Sequence, residues 1–323
     1  MQITWKKCTG IAVIILLIGY SVSVWWSIEP DVILPQHFKV GQGSKVVGYA
    51  TTTSLILTME TLLNKRGGWL SNDVTPPSIF MDNMPAFEFG ALEQARDLAL
   101  IMRKEFSRSQ SQSMADKDLL AAQSKLNIEH TSWLMPSAEG EYSDAIKLLK
   151  LYRAKISDTN NQEAQFYARA DNLNEWLKEV QKRLGSMSQR LSASVGQDRL
   201  NTDLAGDSEA SQSTPNKASQ QIKTSWWKID DVFYETRGAT WALLNFMKAI
   251  EVDFAGVLRK KNAEVSLQQI IRELEETQHA IWSPIILNGS GFGVVANHSL
   301  VMANYISRAN AAVIDLTNLL TKG

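Results

Sequence analysis

Between Cys8 and Ile28 the chain carries no charged residue, and Ile11 to Leu17 is almost unbroken aliphatic. About 20 such residues wound as a helix cover roughly 30 Å, the thickness of a bilayer's hydrocarbon core. Lys6 and Lys7 precede the run, while Glu29 and Asp31 follow it. A basic flank stays on the cytoplasmic side, so this pattern predicts a short cytoplasmic tail (1–7), a span (8–28) and the remaining chain outside the cytoplasm. Ile11, Leu16 and Leu17 form its apolar body, and Trp5 at one end with Trp25 and Trp26 at the other stand where indoles favour the bilayer interface.

A cleaved signal peptide shares the basic start and the apolar run, and Ser21-Val22-Ser23 offers a small-residue cleavage site. The length of the run and its two terminal tryptophans favour a retained span. Cys8 is the single cysteine of the chain and lies at the start of the run. The rest is therefore free of thiols, which suits an oxidising compartment and excludes disulfides and thiolate metal sites there. A second charge-free stretch lies between Glu276 and Arg308. Pro284, Asn288, Gly289, Ser290, Asn297 and His298 would face lipid if it crossed the bilayer, so it is expected to be buried core.

Beyond the span the periodicity is helical almost throughout, which predicts an all-α fold: one transmembrane helix followed by a bundle-like extracytoplasmic domain. A Pro-containing tether (29–43) leads to a first helical region (44–195). Its first helix ends at Lys65-Arg66-Gly67-Gly68, a helix-stop signal. Further helices are expected over Phe89–Met102, Met114–Trp133 and Tyr142–Ile156. Phe166, Ala170, Leu173, Leu177, Val180, Leu184, Met187 and Leu191 then repeat at alternating four- and three-residue steps, a seam for coiled-coil-like packing. That seam serves either a partner or self-association, or a long helix lying on its own domain. Residues 196–223 are dominated by small and polar types and read as a flexible linker. A second helical region (224–323) follows, with helices over Ile229–Arg259, Leu267–Ile281 and Val295–Leu320. It is expected to pack with the first.

Three stretches carry a resemblance to a known family. They are GGWLSNDVTPPSIFMDNMPAFEFGALEQARDLA (Gly67–Ala99), VFYETRGATWALL (Val232–Leu244) and SPIILNGSGFGVVANHSLVMANYISRANAAVIDL (Ser283–Leu316). Together with the N-terminal span they resemble an uncharacterised family of bacterial inner-membrane proteins, domain-of-unknown-function family 2333. The resemblance implies a bacterial inner-membrane protein with a periplasmic domain and supplies no catalytic residues.

Candidate chemistry concentrates in the loop from Gly67 to Gly90. Asp82 and Glu88 are the candidates for paired acid–base carboxylates, as in glycosidases, and Trp69 and Asp73 for ligand binding. The alternative is that Asp73 and Asn83 cap turns or helices while Phe80, Phe87 and Phe89 pack inward. Gly289-Ser290-Gly291-Phe292-Gly293 has Val294 where a dinucleotide fingerprint has its last glycine, and it lacks the lysine of a P-loop and a surrounding βαβ pattern, so it is read as a tight loop between buried helices. Glu235 and Arg237, two apart on one helix, could form a polar pocket, but at that spacing they do not face each other, so separate partners or solvated positions are expected. Trp226-Trp227 reads as a staple packed ahead of the helix start at Asp230-Asp231, with ligand stacking or contact with the membrane surface as the alternative.

His37, His130, His279 and His298 show no metal-ligand spacing, no nucleophile elbow occurs, and no cofactor is expected. A net charge of -1 gives no reason to expect nucleic acid. The expected partners are the lipid bilayer, and either other envelope proteins or a second copy. The expectation is thus an envelope interaction or scaffold protein rather than an enzyme. A cell-wall glycan hydrolase, or a ligand-binding module coupled to a membrane partner, stands as the alternative.

Overall fold

The computed structural model describes residues 5–39, 45–108, 114–158, 163–200, 219–283 and 285–322. The fold is all-α. Helix α1 (Trp5–Trp26) stands clear of the rest, with none of its apolar window from Cys8 to Trp26 buried, and it is long and apolar enough to cross a membrane. The body comprises α2 (Tyr49–Asn64), α3 (Asn83–Ile101), α4 (Lys117–Leu126), α5 (Ala138–Ser157), α6 (Ala170–Ser192), α7 (Ile229–Asp253), α8 (Ala255–Lys260), α9 (Glu264–Glu276) and α10 (His298–Thr321).

The centre of the body is the parallel pair α3 and α7. Both helices start at one end, where Asp82, Asn83 and Asp230 line a common hollow. At the other end the short π-helical continuation of α3 (Met102–Phe106) meets the end of α7, with Phe106 and Phe254 rings 5.3 Å apart. The two backbones approach closely because each offers a glycine to the other. A Cβ on Gly90 would collide with the carbonyl of Glu235, and one on Gly238 with the carbonyl of Phe87. Helices α2, α6 and α9 pack around this pair, and α10 covers α6 and α9. One hydrophobic core draws buried side chains from both sides of 201–218, among them Phe87, Trp176, Trp241 and Leu316.

The segment after α1 is not a loose tether where it is described. Glu29 pairs with Arg237, the Asp31 carbonyl accepts from Trp241 Nε1 at 3.1 Å, and Ile33 N donates to Asn245 at 3.0 Å. Ile33 and Phe38 are buried beside Ala249 on α7. The chain therefore climbs along α7 from the end where α1 leaves, here termed the proximal end, toward the distal end.

Four connections collect at the proximal end. Trp26 sits against Gly67 of the α2–α3 loop. Trp69 Nε1 and Asn72 Nδ2 in that loop donate to the carbonyls of His130 and Ser132 in the α4–α5 loop. Arg237 holds Thr277 and Gln278 at the start of the α9–α10 loop. Ser194, Trp226 and Trp227 of the α6–α7 connection share the hollow with Asp82 and Asn83.

Leu173, Leu177, Val180, Leu184 and Leu191 are buried inside this chain, where α6 packs antiparallel to α10 and Ser188 meets Ser307 at 2.6 Å, so α6 is a long helix lying on its own domain, one of the two readings of the seam. Several other expectations are corrected. Phe166 is not part of the seam. It precedes the helix and packs on Phe106 and Phe254 at the distal end. Helix α4 stops at Leu126, short of Trp133, because the carbonyls that follow are taken by side chains: Arg96 binds those of Leu126 and Ile128. Within the stretch read as a linker, β1 (Gln197–Leu200) pairs antiparallel with β2 (Ser219–Ile222), while 201–218 lies outside the described residues. The charge-free stretch after Glu276 is not wholly core: Trp282, Ile285, Phe292 and Val294 are exposed.

Replacing Gly238 by Ala should lower the midpoint of urea unfolding by the equivalent of about 1–3 kcal/mol, since α3 must move to admit the methyl group. Gly185→Ala on α6, where an added Cβ meets nothing within 4 Å, should instead stabilise by up to ~1 kcal/mol.

Candidate functional site

The loop from Gly67 to Gly90 contains a built charge site, but a closed one. Gly67 and Gly68, at φ of 82° and 72°, turn the chain after α2, so that the N–H groups of Leu70 and Ser71 face α3. Glu88 accepts both, at 2.9 and 2.8 Å, and also accepts from Ser71 Oγ at 2.5 Å and Lys65 Nζ at 2.6 Å. Neither side chain of the ion pair is accessible to solvent. Burial pushes the Glu88 carboxyl up from its ordinary range, and the Lys65 charge and the surrounding donors pull it back. Every oxygen of Glu88 is engaged, so it has neither access nor a free lone-pair direction for a substrate.

The sequence candidates therefore separate. Trp69 is buried, donating to the His130 carbonyl and lying edge-on to Tyr142 at 5.2 Å, and presents no face to a ligand. Asp73 closes a turn, its N–H on the Leu70 carbonyl at 3.2 Å. Asp82 stands just before α3, accepts from Asn83 N and is exposed. Asp82 and Glu88 thus do not form an accessible pair. Phe87 is buried as expected, whereas Phe80 points outward.

Arg237 is also a buried charge. Its Nε donates to both Glu29 oxygens at 2.7 Å, and its other nitrogens reach the carbonyls of Thr277 at 2.9 Å and Gln278 at 3.2 Å. Glu235, two residues away, pairs instead with Arg190 on α6. Separate partners were legible from their spacing, but not which partners, since Glu29 lies 208 residues away in sequence.

Two hollows at the proximal end stand beside these closed contacts. The larger, about 570 Å³, lies between the starts of α3 and α7 and the segment Ile285–Asn288, with Trp226, Trp227, Asp230 and Tyr234 on its walls. Burial, and then the charges of Asp82 and Asp230, raise the Asp231 carboxyl. The smaller, about 400 Å³, is bounded by Phe233 and Arg237 on α7, His279 and Trp282 after α9, and His298 and Tyr305 on α10. Among the described residues no three acidic, histidine or cysteine side chains are grouped to hold a metal ion.

The staple expected of Trp226 and Trp227 is not formed. Both indoles are exposed and meet only edge to face, 4.8 Å apart. The glycine-rich loop is a narrow hairpin-like excursion: Gly289 N donates to the Ala296 carbonyl at 3.0 Å, His298 N to that of Leu287 at 2.8 Å, and Asn297 caps α10 through Leu300 N. Its tip carries Phe292 and Val294 into solvent.

Lys65→Met should destabilise the protein by about 3–5 kcal/mol by stranding the Glu88 charge in the interior. The double variant Lys65→Met/Glu88→Leu should recover much of that loss in the same denaturant titration. A double variant as unstable as the single one would show that the pair holds the loop by more than mutual neutralisation.

A family model described as "Uncharacterized protein conserved in bacteria (DUF2333)" matches residues 1–323. No curated protein and no solved structure matches the chain.

Proposed function

The chain belongs to this bacterial family, and from that premise we propose that it is a single-pass protein of the inner membrane whose helical body works in the periplasm as an interaction or scaffold protein. In this reading α1 is retained and spans the bilayer, with its N-terminus in the cytoplasm. The basic residues before the span and the acidic ones after it support that direction. The absence of cysteine after Cys8 suits the periplasm. Retention is supported by the helix running unbroken through Ser21-Val22-Ser23 to Trp26, which leaves that site no extended segment for a peptidase.

The observation that carries the scaffold reading is the splice between α1 and the body. Only Ser27 and Ile28 separate the helix from Glu29, whose carboxylate is clamped by the buried Arg237. A span joined this closely fixes how the body is presented above the bilayer. A platform for neighbouring envelope proteins needs that constraint, and an enzyme working on a diffusing substrate does not.

The full chain expressed in a bacterium should remain with membranes after alkaline carbonate extraction and should keep its N-terminal residues by mass spectrometry. Photo-crosslinking residues at the exposed positions Leu120, Leu151, Val265 and Val301, on different sides of the body, should give discrete, position-dependent adducts with envelope proteins. Release by carbonate or loss of the first 23 residues would overturn the membrane reading. Adducts absent from all four sides would overturn the scaffold reading.

A further inference from the structure

The body's exposed aromatic side chains are gathered at one end. Phe80, Trp133, Trp226, Trp227, Trp282 and Phe292 are each more than half exposed, the last two almost completely. Among the described residues they are the body's exposed Phe, Trp and Tyr side chains. They sit one or two apiece on the α2–α3, α4–α5, α6–α7 and α9–α10 connections, the four that surround the point where α1 leaves. Ile79, Leu134, Ile285 and Val294 accompany them, also exposed. Among the described residues the distal end exposes Met114 and Val47 but no aromatic ring.

Chain length fixes how far this end can lie from the membrane. From Trp26, the last residue of α1, to Glu29, held by Arg237, is three residues. Even fully extended they reach about 10 Å. The headgroup layer on one side of a bilayer is itself roughly 5–8 Å deep. Loops that project from the same end as the Glu29–Arg237 pair therefore cannot be held clear of the headgroups. Indole and phenyl rings are the side chains that gain most in that layer, each burying up to roughly 150–250 Å² while the indole N–H keeps a polar partner. In water the same six rings would be an apolar cost with nothing to offset it.

We propose that the proximal end of the body is seated in the headgroup layer of the membrane that α1 crosses, with these six aromatic side chains as its interfacial anchors. The proposal rests on the reading of α1 as a retained span. It adds that the body lies on the lipid rather than standing off it. The two hollows then open toward the membrane surface, and the sides and distal end of the body are the surfaces left for proteins.

The test uses the full chain with Cys8→Ser, carrying one introduced cysteine at a time, reconstituted in vesicles of phosphatidylethanolamine and phosphatidylglycerol (3:1). Nitroxide labels at Leu134→Cys, Phe292→Cys and Val294→Cys report the proximal loops, Ile14→Cys reports α1, and Leu151→Cys and Val265→Cys report the sides. Collision with oxygen, which concentrates in lipid, is compared with collision with a water-soluble nickel chelate. Labels at 134, 292 and 294 should favour oxygen over nickel by several-fold relative to 151 and 265, approaching the label at 14. If they favour nickel like 151 while 14 favours oxygen, the seating is wrong and the span stands. If they are shielded from both reagents, protein covers this end and the lipid proposal fails. If the label at 14 itself favours nickel, the span reading fails and the proposal falls with it.

Discussion

The contact between α3 and α7 sets the geometry of the rest. Two helices carrying ordinary side chains pack with axes 8–10 Å apart. Here Gly90 and Gly238 remove the Cβ atoms that would keep the backbones apart, and each turn meets a carbonyl of the other helix directly. Close approach over that length holds the two helices side by side, and they run in the same direction. Because they are parallel, both N-termini come to one end. The connections that lead into them, from α2 and from α6, must come to that end as well. The neighbours inherit the order: α2, α4, α6 and α9 end there, and α5 and α10 begin there.

The Lys65–Glu88 and Arg237–Glu29 pairs belong to this end too, and they perform a task that apolar packing does poorly. Hydrophobic contacts tolerate sliding. An inaccessible charge has a large penalty in any position but the one that satisfies it. Lys65 and Glu88 tie the exit of α2 to α3, with the Leu70 and Ser71 N–H groups filling the remaining carboxylate positions. Arg237 ties Glu29, three residues beyond α1, to α7 and to the end of α9 at once. Loops that would otherwise be free to choose their course are in this way held around one point, and the chain that emerges there is α1.

That arrangement explains why Glu88, singled out in sequence, is held in the interior by Lys65 and two backbone N–H groups. Glu88 lies six residues after Asp82, and a loop rich in Asp, Trp and Pro resembles a binding loop when read linearly. The fold buries one carboxylate against a lysine 23 positions earlier and leaves the other at a helix start. Trp226 and Trp227 show the converse. A Trp-Trp pair ahead of a helix reads as a staple, but these indoles have no core to enter, because Phe87, Phe233 and Trp241 already fill it. Nothing local to positions 226 and 227 carries that information.

The sequence by itself determined the features that depend on composition and short-range periodicity: an apolar helix of bilayer length at the N-terminus, an all-helical body, the stop after α2 at Gly67-Gly68, and the amphipathic seam of α6. Each depends on residues within a few turns of one another. Tertiary structure alone decided which surface covers that seam, which partners Glu88 and Arg237 take, and that six aromatic residues scattered from position 80 to 292 stand at one end. Those are consequences of the parallel direction of α3 and α7 and of contacts spanning up to 212 residues. A glycine in sequence signals only that a backbone can come close, and not which backbone does.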